Sequence, residues 1–271
     1  MRLAYSVVDA FTDTPFKGNP AAVLKLDAFL PDATLQAIAA EFNLSETAFV
    51  VADGADWKLR WFTPAVEVPL CGHATLATGF VLRRMGFPAP LRFHTLSGAL
   101  AVGEADGRLV LDFPAWVPAP ATPPAGLAEA LGAEPVEVYK ARDWICVFRT
   151  PAEVEALTPD HAKIAALDGE RVIATAAADD TCVIATAPGG ARADVTSRYF
   201  AAKVGIPEDP VTGAAHTQLA PFWSARLGKA RLTCRQASAR GGWLWTEVRG
   251  DRVAIAGHAV AVAEGVIEIP G

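Results

Sequence analysis

The chain has 271 residues, of which 52% are hydrophobic and 20% are charged, and it carries a formal net charge of −6. This composition predicts a globular protein of one large or two modest domains, and the lack of a basic run argues against nucleic acid as a partner. No apolar run reaches the ~18 residues that a membrane-spanning helix needs, and no secretory leader is recognisable, so we expect a cytoplasmic protein that makes no membrane contact.

Short strand patterns dominate the first half of the chain. An amphipathic helix is predicted to start with Asp32 as its N-cap and to continue through Phe42. A second helix, over 74–86, has the length and composition of a buried element. Strands are predicted at 7–11, 46–51, 57–62, 93–95 and 109–113. The predicted strands at 46–51 and 57–62 are expected to pair antiparallel.

The second half repeats this order after a proline-rich segment. Residues 114–125 contain five prolines among small residues, which is typical of a linker. We expect a short helix after Asp160 and a long helix over 214–227. Strands are predicted at 136–139, 145–149, 172–174, 181–185, 231–236, 243–248, 253–256 and 260–269.

The linker divides the chain into an N-terminal lobe, 1–117, and a C-terminal lobe, 118–259. Residues 260–271 suit a last strand of either lobe, and completing the N-terminal lobe is one of these two options. Strands dominate, and each lobe has one long helix. We therefore predict an α+β fold in which each lobe wraps a curved, mostly antiparallel sheet around a central helix.

One motif occurs in both lobes. Residues 67–74 are E-V-P-L-C-G-H-A and residues 208–215 are E-D-P-V-T-G-A-A, so the two copies share E-x-P-x-x-G-x-A. The lobes are therefore expected to be pseudo-symmetric. Each glycine opens a predicted helix, where free backbone N–H groups can bind an anion. Two such helix starts facing one cleft predict a site for a substrate carboxylate.

The sequence around the motif is repeated as well. R-W-F at 60–62 corresponds to R-Y-F at 198–200, and a serine follows the motif glycine by 25 residues in both copies, at Ser97 and Ser238. These echoes extend the repeat beyond the motif to about half of the chain.

Three residues are candidates for acid/base chemistry. Glu46 begins an apolar strand, where a carboxylate can take and return a proton. His73 lies at a helix N-terminus, which favours the neutral imidazole as an acid or hydrogen-bond donor. Asp209 precedes Pro210, where it can orient a histidine or act as a second base. Structural interpretations compete with each role: a surface glutamate at a strand end, a capping or core-lining histidine, and a turn aspartate. His216 is expected to be a packing residue.

Other types of site find no support in the sequence. The chain has no G-x-S-x-G nucleophile motif, no glycine-rich nucleotide loop and no cluster with metal-ligand spacing. Its four cysteines form no C-x-x-C pair. We therefore expect no cofactor and no metal, and proton-transfer chemistry on a small anionic substrate.

Five motifs together resemble the PhzF (phenazine biosynthesis-like) family: V-D-A-F-T at 8–12, G-N-P-A-A-V at 18–23, N-L-S-E-T-A-F at 43–49, L-C-G-H-A-T at 70–75 and E-D-P-V-T-G at 208–213. The resemblance implies a diaminopimelate epimerase-like fold and a cofactor-independent isomerase, often a homodimer. The phenazine enzyme of this family isomerises trans-2,3-dihydro-3-hydroxyanthranilate by moving a proton along an allylic system.

The resemblance also assigns roles to residues. It implies that Glu46 is the catalytic acid/base, that His73 and Asp209 complete the catalytic group, and that the helices starting at Gly72 and Gly213 hold the substrate carboxylate.

Three further positions in these motifs, Asn19, Ser45 and Ala214, are expected to bind substrate. The phenazine enzyme has a serine where this chain has Ala214. Losing the hydroxyl removes a possible hydrogen bond worth about 0.5–1.5 kcal/mol. This departure leaves the fold assignment unchanged and bears on the substrate.

Two other functions stay open. Related epimerases and racemases use two cysteines, one before the glycine of each motif copy. Cys71 matches the first, whereas 210–212 in the second copy contain none, so an amino-acid racemase or epimerase would need a non-cysteine partner for Cys71. A non-catalytic binding protein of the same fold is the other alternative. The sequence favours a PhzF-like isomerase of a small cyclic or unsaturated carboxylic acid.

Overall fold

The computed structural model describes residues 1–169, 171–178 and 192–269. The chain forms two compact units, Met1–Asp112 with Ala256–Gly271, and Phe113–Ile255. Both contain strands and helices, and most strand pairs are antiparallel, so the predicted α+β class is confirmed. The predicted strand at 181–185 and Cys182 lie outside the described residues.

The strands of the first unit are β1 (Arg2–Ala10), β2 (Asn19–Leu26), β3 (Glu46–Asp53), β4 (Asp56–Phe62), β5 (Glu67–Val68), β6 (Leu91–Thr95), β7 (Gly98–Ala105), β8 (Arg108–Pro114) and β17 (Ala259–Glu268). They pair in the order β17-β1-β2-β3-β4-β6-β7-β8, and β5 pairs with β4. Only the pairs β2–β3 and β4–β6 are parallel among those in this unit. The predicted pairing of β3 with β4 is confirmed.

The strands of the second unit are β9 (Ala119–Pro120), β10 (Glu137–Lys140), β11 (Trp144–Val147), β12 (Val172–Ala177), β13 (Val195–Phe200), β14 (Arg231–Gln236), β15 (Gly242–Arg249) and β16 (Arg252–Gly257). They pair in the order β9-β10-β11-β12-β13-β14-β15-β16. Parallel pairs again occupy the third and fifth places, β11–β12 and β13–β14. The two sheets therefore share the same succession of strand directions over these places, as the sequence repeat predicts.

Each unit has one long helix that packs on its sheet. The helices are α1 (Asp32–Phe42), α2 (Gly72–Arg84), α3 (Leu127–Leu131), α4 (Pro151–Ala156), α5 (His161–Ala166) and α6 (Gly213–Leu227), with a 3-10 turn at Ala202–Val204. Ten of the 13 residues of α2 are buried, and the helix contacts β1, β2, β3, β7 and β17. α6 contacts β14 and β15 in the same way. Among the described residues, no helix is long and apolar enough to span a bilayer.

The proline-rich segment is not a free linker. The chain leaves the first unit after Asp112 and re-enters it at Ala256, whereas the sequence placed these boundaries after 117 and after 259. Two backbone hydrogen bonds attach the segment to the second unit, from Ala115 N to Asp251 O at 2.8 Å and from Trp116 N to Thr217 O at 3.0 Å. Backbone pairing therefore moves the boundary toward the N-terminus.

The C-terminal strand completes the first unit. β17 pairs antiparallel with β1, from Arg2 opposite Glu268 to Ala10 opposite Ala259. Of the two options that the sequence left open, the structure has the one in which the last residues join the N-terminal lobe.

The cap of α1 differs from the prediction. The helix spans Asp32–Phe42, but its N-cap is Pro31, and Asp32 makes no capping hydrogen bond. The Asp32 carboxylate instead accepts a hydrogen bond of 2.8 Å from Arg60. The first N–H groups of the helix that find a partner, those of Thr34 and Leu35, donate to the carbonyl of Pro31 at 2.8 and 3.1 Å.

The sequence repeat is also a repeat of side-chain contacts. Arg60 donates from Nε and Nη2 to the two carboxylate oxygens of Glu67, at 2.7 Å each. Arg198 makes the same two-point contact with Glu208, at 2.7 and 2.9 Å. Each pair connects a central strand to the segment that leads into the long helix, and so fixes where that helix begins.

The repeated serines have the same role in both units. Ser97 Oγ donates to the carbonyl of Pro69 at 2.6 Å, and Ser238 Oγ donates to the carbonyl of Pro210 at 2.8 Å. Each serine therefore holds the motif proline, three residues before the helix start, against a neighbouring turn.

Candidate active site

Glu46 lies at the start of a buried strand of the first unit. β3 runs parallel to β2 with Glu46 opposite Ala21, so the first residue of β3 lies beside the third residue of β2. Glu46 is 8% exposed. The structure thus rejects the surface interpretation of this glutamate.

His73 brings the N-terminus of α2 to Glu46. Its Nε2 atom lies 3.0 Å from Glu46 Oε2, and the residue is 5% exposed. The distance suits an ion pair, but the groups are not aligned for a linear hydrogen bond, and neither atom has a hydrogen-bond partner among the described residues. Both atoms therefore keep hydrogen-bonding capacity that a substrate can use.

The other ring nitrogen of His73 has two neighbours. Asn19 Nδ2 lies 3.1 Å from His73 Nδ1, and Cys71 Sγ lies 3.5 Å from the same atom. Both side chains are buried. The imidazole is therefore held between Glu46 at Nε2 and the pair Asn19 and Cys71 at Nδ1.

Charge and burial set the protonation of this group. Burial and the nearby Glu46 charge raise the pKa of the Cys71 thiol to about 11. Burial alone would lower the pKa of His73, but its neighbours Cys71 and Glu46 together raise that pKa well above its ordinary range. The site therefore favours a protonated imidazole.

The expectation of a neutral His73 is therefore wrong. The partial positive charge of the helix N-terminus does disfavour an imidazolium at this position. A carboxylate 3.0 Å away has a full unit of charge and outweighs it in a buried site.

The same three side chains are poorly arranged for a metal. Glu46, Cys71 and His73 offer donor atoms within 4.8 Å of one another, and the described residues contain no other such group. Glu46 faces Nε2 of the ring and Cys71 faces Nδ1, and these two nitrogens direct their lone pairs away from each other. One ion bound to either nitrogen would therefore lose the ligand on the other side.

The remaining predicted residues of the first unit flank this group. Gly72 is buried and is the first residue of α2, next to His73. The N-cap, Cys71, is extended and makes no side-chain capping bond. Ser45 is half-buried and precedes Glu46 directly. Asn19, Ser45, Glu46, Gly72 and His73 thus all belong to one part of the first unit.

In the second unit, Asp209 belongs to a buried hydrogen-bonded turn. Its carboxylate accepts from Thr212 Oγ1, and its backbone N–H donates to Tyr199 O at 3.0 Å. Gln236 joins both ends of the turn, donating to Asp209 O at 2.8 Å and accepting from Thr212 N at 2.8 Å. A single glutamine at a strand end has no pattern in the sequence that would have revealed this role.

The two other predicted residues of this unit begin α6. Gly213 is its first residue and is buried, and Ala214 follows it half-buried. The N-cap, Thr212, is extended and makes no side-chain capping bond, as at α2. Both long helices therefore start without a side-chain cap, which leaves backbone N–H groups for an anion.

Comparison with known proteins identifies the family. A sequence model described as phenazine biosynthesis-like protein matches residues 8–265. A protein of Pseudomonas aeruginosa that is named an uncharacterized isomerase is 49% identical over 273 residues, covering 99% of this chain and 100% of its own. The crystal structure of a PhzF family protein from Enterococcus faecalis matches with a TM-score of 0.92 and 43% identity, covering 99% of this chain and 100% of that one.

A more distant structure shares the fold. A hydroxyproline epimerase from Agrobacterium vitis matches with a TM-score of 0.57 at 11% identity, over 98% of this chain and 92% of that one. The phenazine biosynthesis-like sequence match and the PhzF structural match both span nearly the whole chain, and the motifs around Glu46, His73 and Asp209 are in place. This chain therefore belongs to the phenazine biosynthesis-like (PhzF) family.

Proposed function

We propose that this protein is a cofactor-independent isomerase that moves a proton within a small cyclic or unsaturated carboxylic acid. The observation that supports this most is the buried pair of Glu46 and His73, whose facing atoms lie 3.0 Å apart with hydrogen-bonding capacity unused. The isomerase name of the Pseudomonas aeruginosa relative agrees with this reaction class.

In the proposed reaction, Glu46 removes a proton from an allylic carbon. The C–H electron pair shifts into a new double bond, the old double bond opens, and Glu46 returns the proton to the carbon at the other end of the allylic system. His73 donates a hydrogen bond from Nε2 that stabilises negative charge on the substrate as it develops. Burial of the pair limits exchange of the abstracted proton with water.

Substrate binding is assigned mainly by the sequence. The backbone N–H groups at Gly72 are proposed to bind the substrate carboxylate, because the start of α2 has no side-chain cap. Within this proposal, Asp209 keeps its predicted catalytic role, and Ser45, Gly213 and Ala214 keep their predicted roles as substrate contacts. The alanine at 214 favours a substrate other than that of the phenazine enzyme. A homodimer is proposed from the family resemblance, and a cytoplasmic location from the sequence.

The test begins with a thermal-shift screen of hydroxy- and amino-carboxylates. Hits are then incubated in D₂O and followed by NMR for double-bond migration and for deuterium at carbon. Glu46→Gln should lower kcat by at least about 10²-fold, because the acid/base is lost, while Kd stays within about 2-fold. Glu41→Gln, an exposed glutamate on α1, is the matched control. Wild-type turnover in Glu46→Gln would refute the proposal.

The racemase alternative is weaker in the light of the Cys71 environment. A proton-abstracting cysteine must be a thiolate, and the pKa of about 11 leaves this thiol almost fully protonated at pH 7. We therefore propose that Cys71 is a wall of the site and a neighbour of His73, without a proton-transfer role.

A further inference from the structure

We propose that Asn19 is a positioning residue that acts through His73. Its amide orients the imidazole so that the hydrogen on Nε2 faces Glu46, and it can hydrogen-bond to Nδ1 in both charge states of the ring. This inference rests on the proposed roles of Glu46 and His73. It replaces the expectation that Asn19 binds substrate.

A tight turn at Gly18 places Asn19 next to the imidazole ring of His73. The residue is 0% exposed and begins β2, directly after Gly18. Gly18 has a φ of +63°, and a Cβ there would clash with the carbonyl of Ala10 and the side chain of Thr12. Only glycine meets both conditions without strain, so the backbone places the Asn19 amide with little freedom.

The two nitrogens of the His73 ring face different neighbours. The carboxylate of Glu46 lies 3.0 Å from Nε2 and attracts a hydrogen on that nitrogen whether the ring is charged or neutral, although the two groups are not aligned for a linear hydrogen bond. At Nδ1 the neighbours are the Asn19 amide at 3.1 Å and the Cys71 thiol at 3.5 Å. The proton that His73 gains or loses is therefore the one on Nδ1.

An asparagine is suited to that position because its side-chain amide has both a hydrogen-bond acceptor and a hydrogen-bond donor. The carbonyl oxygen can accept from Nδ1–H of the imidazolium, and the NH₂ group can donate to Nδ1 of the neutral ring. Cys71, neutral at pH 7, adds a weak donor at the same atom. Glu46, Asn19 and Cys71 are the groups that face the ring from β3, β2 and the start of α2.

The test uses NMR of protein with ¹⁵N-labelled histidine, with the His73 signals assigned by a His73→Gln variant. Above the pH at which His73 titrates, we expect Nδ1 to be the unprotonated nitrogen and Nε2 to have the hydrogen. Asn19→Asp presents only acceptors of the same shape, so a hydrogen on Nδ1 gains a partner and the Nδ1–H population of the neutral ring should rise. Asn43→Asp, at the exposed end of α1, is the matched control and should leave the tautomer unchanged.

Kinetics separate positioning from substrate contact. Asn19→Asp should lower kcat at least 10-fold with KM unchanged within about 2-fold, whereas loss of a substrate contact would raise KM. An Nδ1–H tautomer in the unsubstituted protein, or an unchanged tautomer in Asn19→Asp, would overturn the inference. The NMR readout needs no substrate, so it succeeds or fails independently of the Glu46→Gln experiment, which decides the proposed function.

Discussion

Arg198 and Glu208 form a two-point ion pair just before the second long helix, with both nitrogen–oxygen distances below 3 Å. Arg198 also donates to the carbonyl of Leu157 at 2.7 Å, so one guanidinium joins β13, the motif and the end of α4. An arginine has the planar donor set for all these contacts at once, whereas a lysine does not.

Arg198→Lys should therefore destabilise the protein by about 1–3 kcal/mol, because the charge is kept but the two-point contact and a carbonyl partner are lost. The free energy of unfolding, from urea titration, measures the effect. Arg249→Lys, at a more exposed pair with Glu247, is the control and should change it by less than about 1 kcal/mol. Equal effects of the two substitutions would contradict the structural role of Arg198.

Gly18→Ala should lower both stability and activity. The substitution puts a side chain at positive φ and against the Ala10 carbonyl, so the turn that precedes Asn19 must shift, at a cost of about 1–3 kcal/mol. Gly54→Ala is matched, since Gly54 has a φ of +65° and open space at the Cβ position. Thermal unfolding should separate the two variants. If both lose the same stability, the close approach at Gly18 is not what requires glycine there.

His216 should make the protein less stable in mild acid. It is fully buried, its Nδ1 lies 2.8 Å from Thr212 O, and burial lowers its pKa to about 4. The unfolded chain, with a histidine pKa near 6.5, binds more protons between these values. The contribution of neutral His216 to the free energy of unfolding is therefore fully present above pH 6.5. It is lost as the pH falls toward 4, by about 3 kcal/mol in total.

The measurement is the free energy of unfolding at several pH values between 7 and 4. His216→Leu should flatten this dependence, whatever it does to stability at pH 7. His94→Gln, at a half-exposed histidine, is the control substitution. An unchanged slope in His216→Leu would show that other groups govern the acid response.

Cys71→Ala should keep turnover within about 10-fold of the unsubstituted protein. A thiol that stays protonated at pH 7 takes no proton from a substrate, and alanine removes only a wall and a weak neighbour of His73. The measurement is the rate at which Cys71→Ala and the unsubstituted protein incorporate deuterium into any substrate found by the screen. Loss of incorporation in Cys71→Ala, with normal folding by circular dichroism, would favour the racemase alternative.

The long helices were predictable because each is an apolar run that follows a glycine turn. α6 starts at Gly213, one residue before the predicted start, and ends at Leu227 as predicted. α2 starts at Gly72, two residues early. The strand β7 was missed, since Gly98–Ala105 is rich in glycine and alanine, and its strand conformation comes from pairing with β6 and β8.

Within the site, the identity of the candidate residues was easier to predict than their contacts. The motifs pointed to Glu46 and His73, but the approach of Asn19 to Nδ1 depends on how α2 packs on β2. Local sequence does not encode that packing. The charge of His73 was mispredicted for the same reason, because the distance to Glu46 is a tertiary property.

β17 has a consequence for biosynthesis. The first unit takes its edge strand from the last part of the chain, while the second unit is one continuous stretch. During synthesis on the ribosome, all residues of the second unit emerge before β17 does. β1 can therefore pair with β17 only after residues 259–268 have emerged. The part of the protein that contains Glu46 and His73 is therefore the last to be finished.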